Sequence, residues 1–172
     1  MTPTLRDELR QTRPFVSLEE EALLSIVRTS AVVMDDFEHR LNPYGITATQ
    51  YNVLRILRGS EPEGLCRNEL RDRMLTRMPD VTRLLDRMEE AGLVERARGD
   101  EDRRMVSTRI TKEALRLLAK LDTVVADEHK RRFLGVSAKQ LQSLIDVLGT
   151  VRQHSAFTHS EKGPASASHT DR

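Results

Sequence analysis

The feature that most constrains this chain is a change of period at Gly92. Before it, Val81, Leu84, Leu85 and Met88 recur at spacings of three and four. On a helix that places them in one stripe of roughly 100°. After it, Leu93-Val-Glu-Arg-Ala-Arg98 and Arg104-Met-Val-Ser-Thr-Arg-Ile110 read as strands, with Val106, Thr108 and Ile110 on one side. The charged turn Gly99-Asp-Glu-Asp-Arg103 joins them into a hairpin. Gly92 itself stands where a helix end takes a left-handed residue. Upstream, Leu70, Met74 and Leu75 mark a short helix from Asn68 to Leu75. Thr76 is the expected N-cap of the second helix, with Pro79 in its first turn, where a missing N–H costs little. Two close helices followed by a hairpin make a winged helix-turn-helix, here spanning about Leu65 to Thr111.

The apolar stripe decides what faces outward on the second helix, expected over about 77–91. Opposite it lie Pro79, Arg83, Asp86 and Glu90, flanked by Asp80, Thr82 and Arg87, with Arg77 at the helix start. Arg can donate two bonds to guanine, and Thr can touch a base edge or a thymine methyl. The helix alone leaves a second reading open, in which Asp86, Glu89 and Glu90 pair with Arg83 and Arg87 on a solvated surface. The hairpin tip favours the first. It carries Arg103 and Arg104 at the end of a ribbon, where an Arg can enter a narrow minor groove. Asp102 would pre-orient that guanidinium. Bulk charge is no guide, since the net formal charge is +1. Between Arg67 and Arg109 there are eleven Arg, no Lys and ten acids, so the signal is the choice of Arg, whose planar fork suits bases and phosphates.

The flanks are helical. Ser17-Leu-Glu-Glu20 is a capping box opening a helix to about Leu41, striped by Leu23, Leu24, Val27, Ala31, Met34, Phe37 and Leu41. Thr47-Ala-Thr-Gln50 opens a helix bearing Tyr51, Val53, Leu54, Ile56 and Leu57. Thr111 caps a long helix with Leu115, Leu118, Leu121 and Val125, ending near Phe133. Ser137-Ala-Lys-Gln140 opens a last helix with Leu141, Leu144, Ile145, Leu148 and Val151. Residues 1–16 read as a flexible arm and 157–172 as a disordered tail around a single domain over 17–156. The expected fold class is mainly α with a small β-hairpin wing.

Composition excludes several functions. No run approaches the ~18 apolar residues of a membrane span, and the first residues hold no apolar core of a secretory signal. One cysteine, Cys66, cannot form an internal disulfide. These features suit a reducing, cytoplasmic setting without a membrane partner. His39, His129 and His154 lack metal-ligand spacing, so no metal is expected. No phosphate loop, nucleophile motif or carboxylate pair points to an enzyme or a cofactor. Cys66 is either a sensing thiol, which would need a depressed pKa and access, or a small, partly buried residue beside Leu65.

Asn68-Glu-Leu70, then Val81-Thr-Arg-Leu-Leu-Asp-Arg-Met88-Glu-Glu-Ala-Gly-Leu-Val-Glu-Arg96, then Asp102-Arg-Arg104 and Ile110-Thr111, form one specific set. In it the chain resembles the MarR family of bacterial transcription regulators, along nearly all of residues 18–155. The resemblance implies a homodimer of two winged helix-turn-helix lobes, with first and last helices interlocked over 18–41, 112–133 and 138–153. It implies a recognition helix at about 77–91 and a wing Asp-x-Arg motif on Asp102 and Arg104, Arg104 being the minor-groove residue. It further implies a roughly palindromic DNA operator, and a small-molecule pocket for which Met34, Phe37, His39, Tyr44 and Tyr51 are the candidates. Two positions depart from the family pattern. Ala114 stands where Gly is usual, and the first helix lacks the reactive Cys of the thiol-sensing branch. The expected function is a homodimeric, sequence-specific repressor modulated by a small molecule. The alternative is a winged-helix module that binds protein and not DNA.

Overall fold

The computed structural model describes residues 3–98 and 106–160. The chain forms two units, 1–123 and 124–172. In the first, α1 (Leu5–Glu8), α2 (Leu18–Leu41), a 3₁₀ turn (Asn42–Tyr44), α3 (Ala48–Arg58), β1 (Leu65–Cys66), α4 (Arg67–Arg73), α5 (Val81–Glu90), β2 (Val94–Arg98) and β3 (Val106–Ile110) follow in order. Helix α6 (Lys112–Arg132) runs across the unit boundary, and α7 (Ala138–Ser160) belongs to the second unit.

The core of the first unit gathers Leu54 and Leu57 of α3, Leu70 of α4, Met88 of α5, Val94 of β2 and Leu118 and Leu121 of α6, all essentially inaccessible to water. Ala114 is fully buried there as well, so a small residue is what this site holds. The stripe of α2 behaves differently from the pattern in its sequence. Leu41 is buried, Leu24 and Phe37 are half-buried, and Leu23, Val27 and Met34 remain exposed. Only the last turn of α2 joins this core.

Helix ends follow local chemistry, with three corrections. Thr47 and Gln50 form the expected reciprocal box, at 3.2 and 2.9 Å. Ser137 and Gln140 do the same, at 3.3 and 2.9 Å. At the start of α2 the box is only half made. Ser17 Oγ accepts from the Glu20 N–H, but the Glu20 carboxylate accepts from Val16, one residue earlier. The expected cap Thr76 is not the cap of α5. Asp80 is, its Oδ1 accepting from the Arg83 N–H at 2.9 Å. Pro79 is the reason, because it disfavours helical geometry at Met78, so the helix must start after it. Helix α4 stops at Arg73, where Met74 turns extended, and Leu75 is left 84% exposed instead of extending the apolar face.

At the ends of the chain, helix replaces expected irregularity. Thr4 and Asp7 cap each other and start α1 inside the expected arm. Helix α7 continues to Ser160, beyond the expected end near 153, while residues 161–172 lie outside the described residues.

The sheet has three antiparallel strands in the order β1-β3-β2, not the two of a bare hairpin. Leu65 pairs with Thr108, and Val94 with Ile110. Gly64 permits the extra strand. Its φ is +75°, and a Cβ there would sit 2.5 Å from the Thr108 carbonyl oxygen.

Candidate nucleic-acid interface

Helix α5 presents two faces. Val81, Leu85 and Met88 are buried and Leu84 is half-buried, as the stripe requires. Thr82, Arg83 and Arg87 are exposed on the other side. Gly92, with φ +67°, ends the helix and sends the chain into β2. The Leu93 N–H donates to the Met88 carbonyl and the Gly92 N–H to the Glu89 carbonyl, both at 2.9 Å. That pair of bonds is the Schellman arrangement. Thr111 then ties the far end of the wing back. Its hydroxyl donates to the Gly92 carbonyl at 2.8 Å and accepts from the Ala114 N–H at 3.2 Å, so it caps α6 as expected.

The remaining site residues fall in different places. Arg77, Pro79 and Asp80 are exposed in the segment between α4 and α5. The Asp80 carboxylate caps the helix through one oxygen, which fixes where α5 begins. Asp102, Arg103 and Arg104 lie outside the described residues.

The pairing left open on α5 has a definite answer here. The Asp86 carboxylate is held by Arg96 of β2, Nη2 to Oδ1 at 2.6 Å, and not by the arginines of its own helix. Glu89 also turns to Arg96, accepting from its backbone N–H at 3.1 Å. Among the described residues, the side chains of Arg83 and Arg87 make no ion pair or hydrogen bond. Arg67, at the start of α4, donates to Thr82 Oγ1 at 3.2 Å and so fixes one outward residue of α5 from the neighbouring helix.

Sequence reasoning passed over Arg67 and Arg96. For Arg96 a signal existed. Strand alternation puts it on the face of buried Val94, and a charge on an inward face needs partners. Asp86 and Glu89, three apart on one side of α5, are those partners.

A cavity of about 400 Å³ opens between α4, α5 and the sheet. Cys66, Arg67, Thr82, Leu85, Arg96 and Thr108 are on its wall. Cys66 is half-buried and begins α4, its N–H donating to Glu69 at 2.9 Å. That backbone bond holds the Glu69 carboxyl below its ordinary value. The five candidates for a ligand pocket do not gather around a described cavity. Phe37 and Tyr51 meet edge to face at 5.4 Å, and Tyr51 is buried. Met34 and His39 are exposed and Tyr44 is half-buried. His39 is held by the Asp35 carbonyl at 2.7 Å, which with the nearby Asp35 carboxylate raises its pKa. Among the described residues no His, Cys, Asp and Glu cluster could hold a metal, and no helix is long and apolar enough to cross a membrane.

Helix-turn-helix, sheet and exposed Thr/Arg face together define a winged helix-turn-helix protein. A MarR family model matches residues 44–105. A MarR transcription factor from Planctomyces limnophilus is 36% identical over 80% of this chain and 99% of its own, with a TM-score of 0.60. The chain therefore belongs to the MarR family. Two further structures share the fold. AbsC, a MarR family transcriptional regulator from Streptomyces coelicolor, has a TM-score of 0.71 at 23% identity, over 83% of this chain and 97% of its own. The transcriptional repressor CouR, bound to a 23-mer DNA duplex, has a TM-score of 0.67 at 24% identity, over 88% and 99%.

Proposed function

We propose that this chain is a cytoplasmic, homodimeric repressor that binds a roughly palindromic duplex DNA site and carries out no chemistry of its own. One observation carries the reading. Helix α5 buries its apolar stripe and turns Thr82, Arg83 and Arg87 to solvent, with Asp86 engaged elsewhere. That face suits a major groove. Arg77 and Pro79 precede the helix and Asp80 sets its start; from the family resemblance, Arg104, with Asp102 to orient it and Arg103 beside it, would take the minor groove. The DNA-bound state of CouR supports a DNA partner for this fold.

Dimerisation is supported by apolar surface that each unit leaves uncovered. In the first unit, Leu23, Val27 and Met34 share one face of α2 and stand in water. In the second, Leu144, Val147 and Val151 do the same on α7. Single exposed apolar residues are ordinary, but rows along helices of 24 and 23 residues mark an interaction face. A twofold dimer would present two α5 helices to half-sites about 34–36 Å apart. Release by a small molecule is best supported at the cavity beside Thr82 and Arg96, where an occupant would touch α5 directly.

The test is a salt-titrated binding assay on DNA from the protein's own upstream region. Affinity should fall steeply with salt, since phosphate contacts release counterions. Arg83→Ala should cost roughly 1–3 kcal/mol and relax preference at one base position. Arg104→Ala should weaken binding where the minor groove is narrow. A protein-binding module would show neither salt dependence nor sensitivity to these two changes.

A further inference from the structure

Arg96 is an unusual residue to find where it is. It lies on β2 with its side chain only 26% exposed, on the same strand face as buried Val94. Its guanidinium reaches Asp86 at 2.6 Å, lies 3.6 Å from Glu89 and lies 3.5 Å from the Thr82 carbonyl. Glu89 braces it a second time through the backbone bond at 3.1 Å. Asp86 is 48% exposed, and pairs this close to water add little to stability. The value of the contact must therefore be sought in what it does to the surrounding charge.

Asp86 stands three residues after Arg83, the spacing at which opposite charges on a helix meet. Left alone, the two would pair and the guanidinium would be lost to DNA. We infer that Arg96 is a positioning residue for DNA recognition: by drawing the Asp86 carboxylate toward the wing, it leaves Arg83 available to the duplex. The strand neutralises the acid that stands one turn after the helix's central arginine. This inference rests on the proposed role of α5 in reading DNA. It names a function for a residue that does not itself touch a base.

The experiment uses full-length protein and a duplex that the wild-type protein selects from random sequence. Arg96→Ala should weaken binding about three- to fivefold, the most that an exposed Arg83–Asp86 pair formed in its absence can withhold. Its salt dependence should become shallower, since Arg83 then reaches the DNA less often. Asp86→Asn alone should bind at least as tightly as wild type, because the group that competes for Arg83 is gone. The double variant should match Asp86→Asn. A purely structural tether gives a different pattern, with Asp86→Asn as weak as Arg96→Ala and no recovery in the double variant; either result overturns the inference. Circular dichroism and urea midpoints check the fold of each variant. Should Arg96→Ala not fold, Arg96→Gln takes its place, keeping a planar hydrogen-bonding group without the charge. Arg83→Ala separates the two levels. If it leaves affinity unchanged, α5 does not read DNA and both readings fall. If it weakens binding while Asp86→Asn is also weak, only the role of Arg96 falls.

Discussion

Two glycines with nearly the same backbone angle should respond very differently to the same substitution. Gly92 has φ +67° and Gly64 has φ +75°. Both are in the left-handed region, where a Cβ costs about 1–2 kcal/mol. At Gly92 nothing lies within 4 Å of an added Cβ, so that strain is the whole effect of Gly92→Ala. At Gly64 the new atom would meet the Thr108 carbonyl oxygen at 2.5 Å and Arg109 Cγ at 2.7 Å. The Arg109 side chain can move. The Thr108 carbonyl cannot easily follow, because Thr108 is paired with both Leu65 and Arg96 in the sheet. Overpacking of this kind adds about 1–3 kcal/mol. Gly64→Ala should therefore cost about 3–4 kcal/mol in all, against about 1.5 for Gly92→Ala. In melting temperature that is a drop of about 10 °C against about 4 °C for a chain of this size. Urea titration at one fixed protein concentration measures both, since the proposed dimer would make stability concentration-dependent. The denaturant slope should be unchanged. Equal losses at the two positions would show that β1 does not approach β3 as described, and the third strand would have to be withdrawn.

Other outcomes follow from single contacts. Asp80→Ala should cost about 1 kcal/mol and reduce DNA affinity as the first turn of α5 frays, while Asp80→Asn, which caps as well, should keep both; thermal melts and the binding assay check this. Arg58 holds Asp122 by two bonds at 2.9 and 3.0 Å, which lowers the Asp122 pKa. A carboxyl with a depressed folded pKa contributes stability above its unfolded value, about 3.9, and loses it as pH falls through the folded one. The stability gap between wild type and Asp122→Asn should thus be present at neutral pH and close below about pH 4. Because Asp122 is 47% exposed, the gap should not exceed about 1 kcal/mol. Urea midpoints across that range measure it.

Much of this protein can be read along the chain, because the relevant forces are local. Periods of 3.6 and 2 follow from backbone geometry, so the stripe of α5 and the strands after Gly92 were legible. Capping needs partners three residues apart, so Thr47, Thr111 and Ser137 could be found by spacing. Two residues, Leu65 and Cys66, are too few to show a period. Their strand exists only because β3 offers an edge and Gly64 lets the chain come close. Spacing alone misplaces the cap of α5, because it puts Pro79 inside the helix, whereas the effect of Pro79 on Met78 keeps it outside.

What the sequence determined by itself is the outward Thr and Arg face of α5, since burial of Val81, Leu85 and Met88 leaves no other orientation. What only tertiary structure decided is where the acids of that helix go. Asp86 has Arg83 as its neighbour in sequence and Arg96 as its partner in space. The physical reason is that helix spacing fixes which groups can meet on one element, whereas a partner ten residues away is chosen by how β2 packs against α5. That choice separates a helix surface that neutralises itself from one that leaves Arg83 exposed beside an acid already engaged elsewhere.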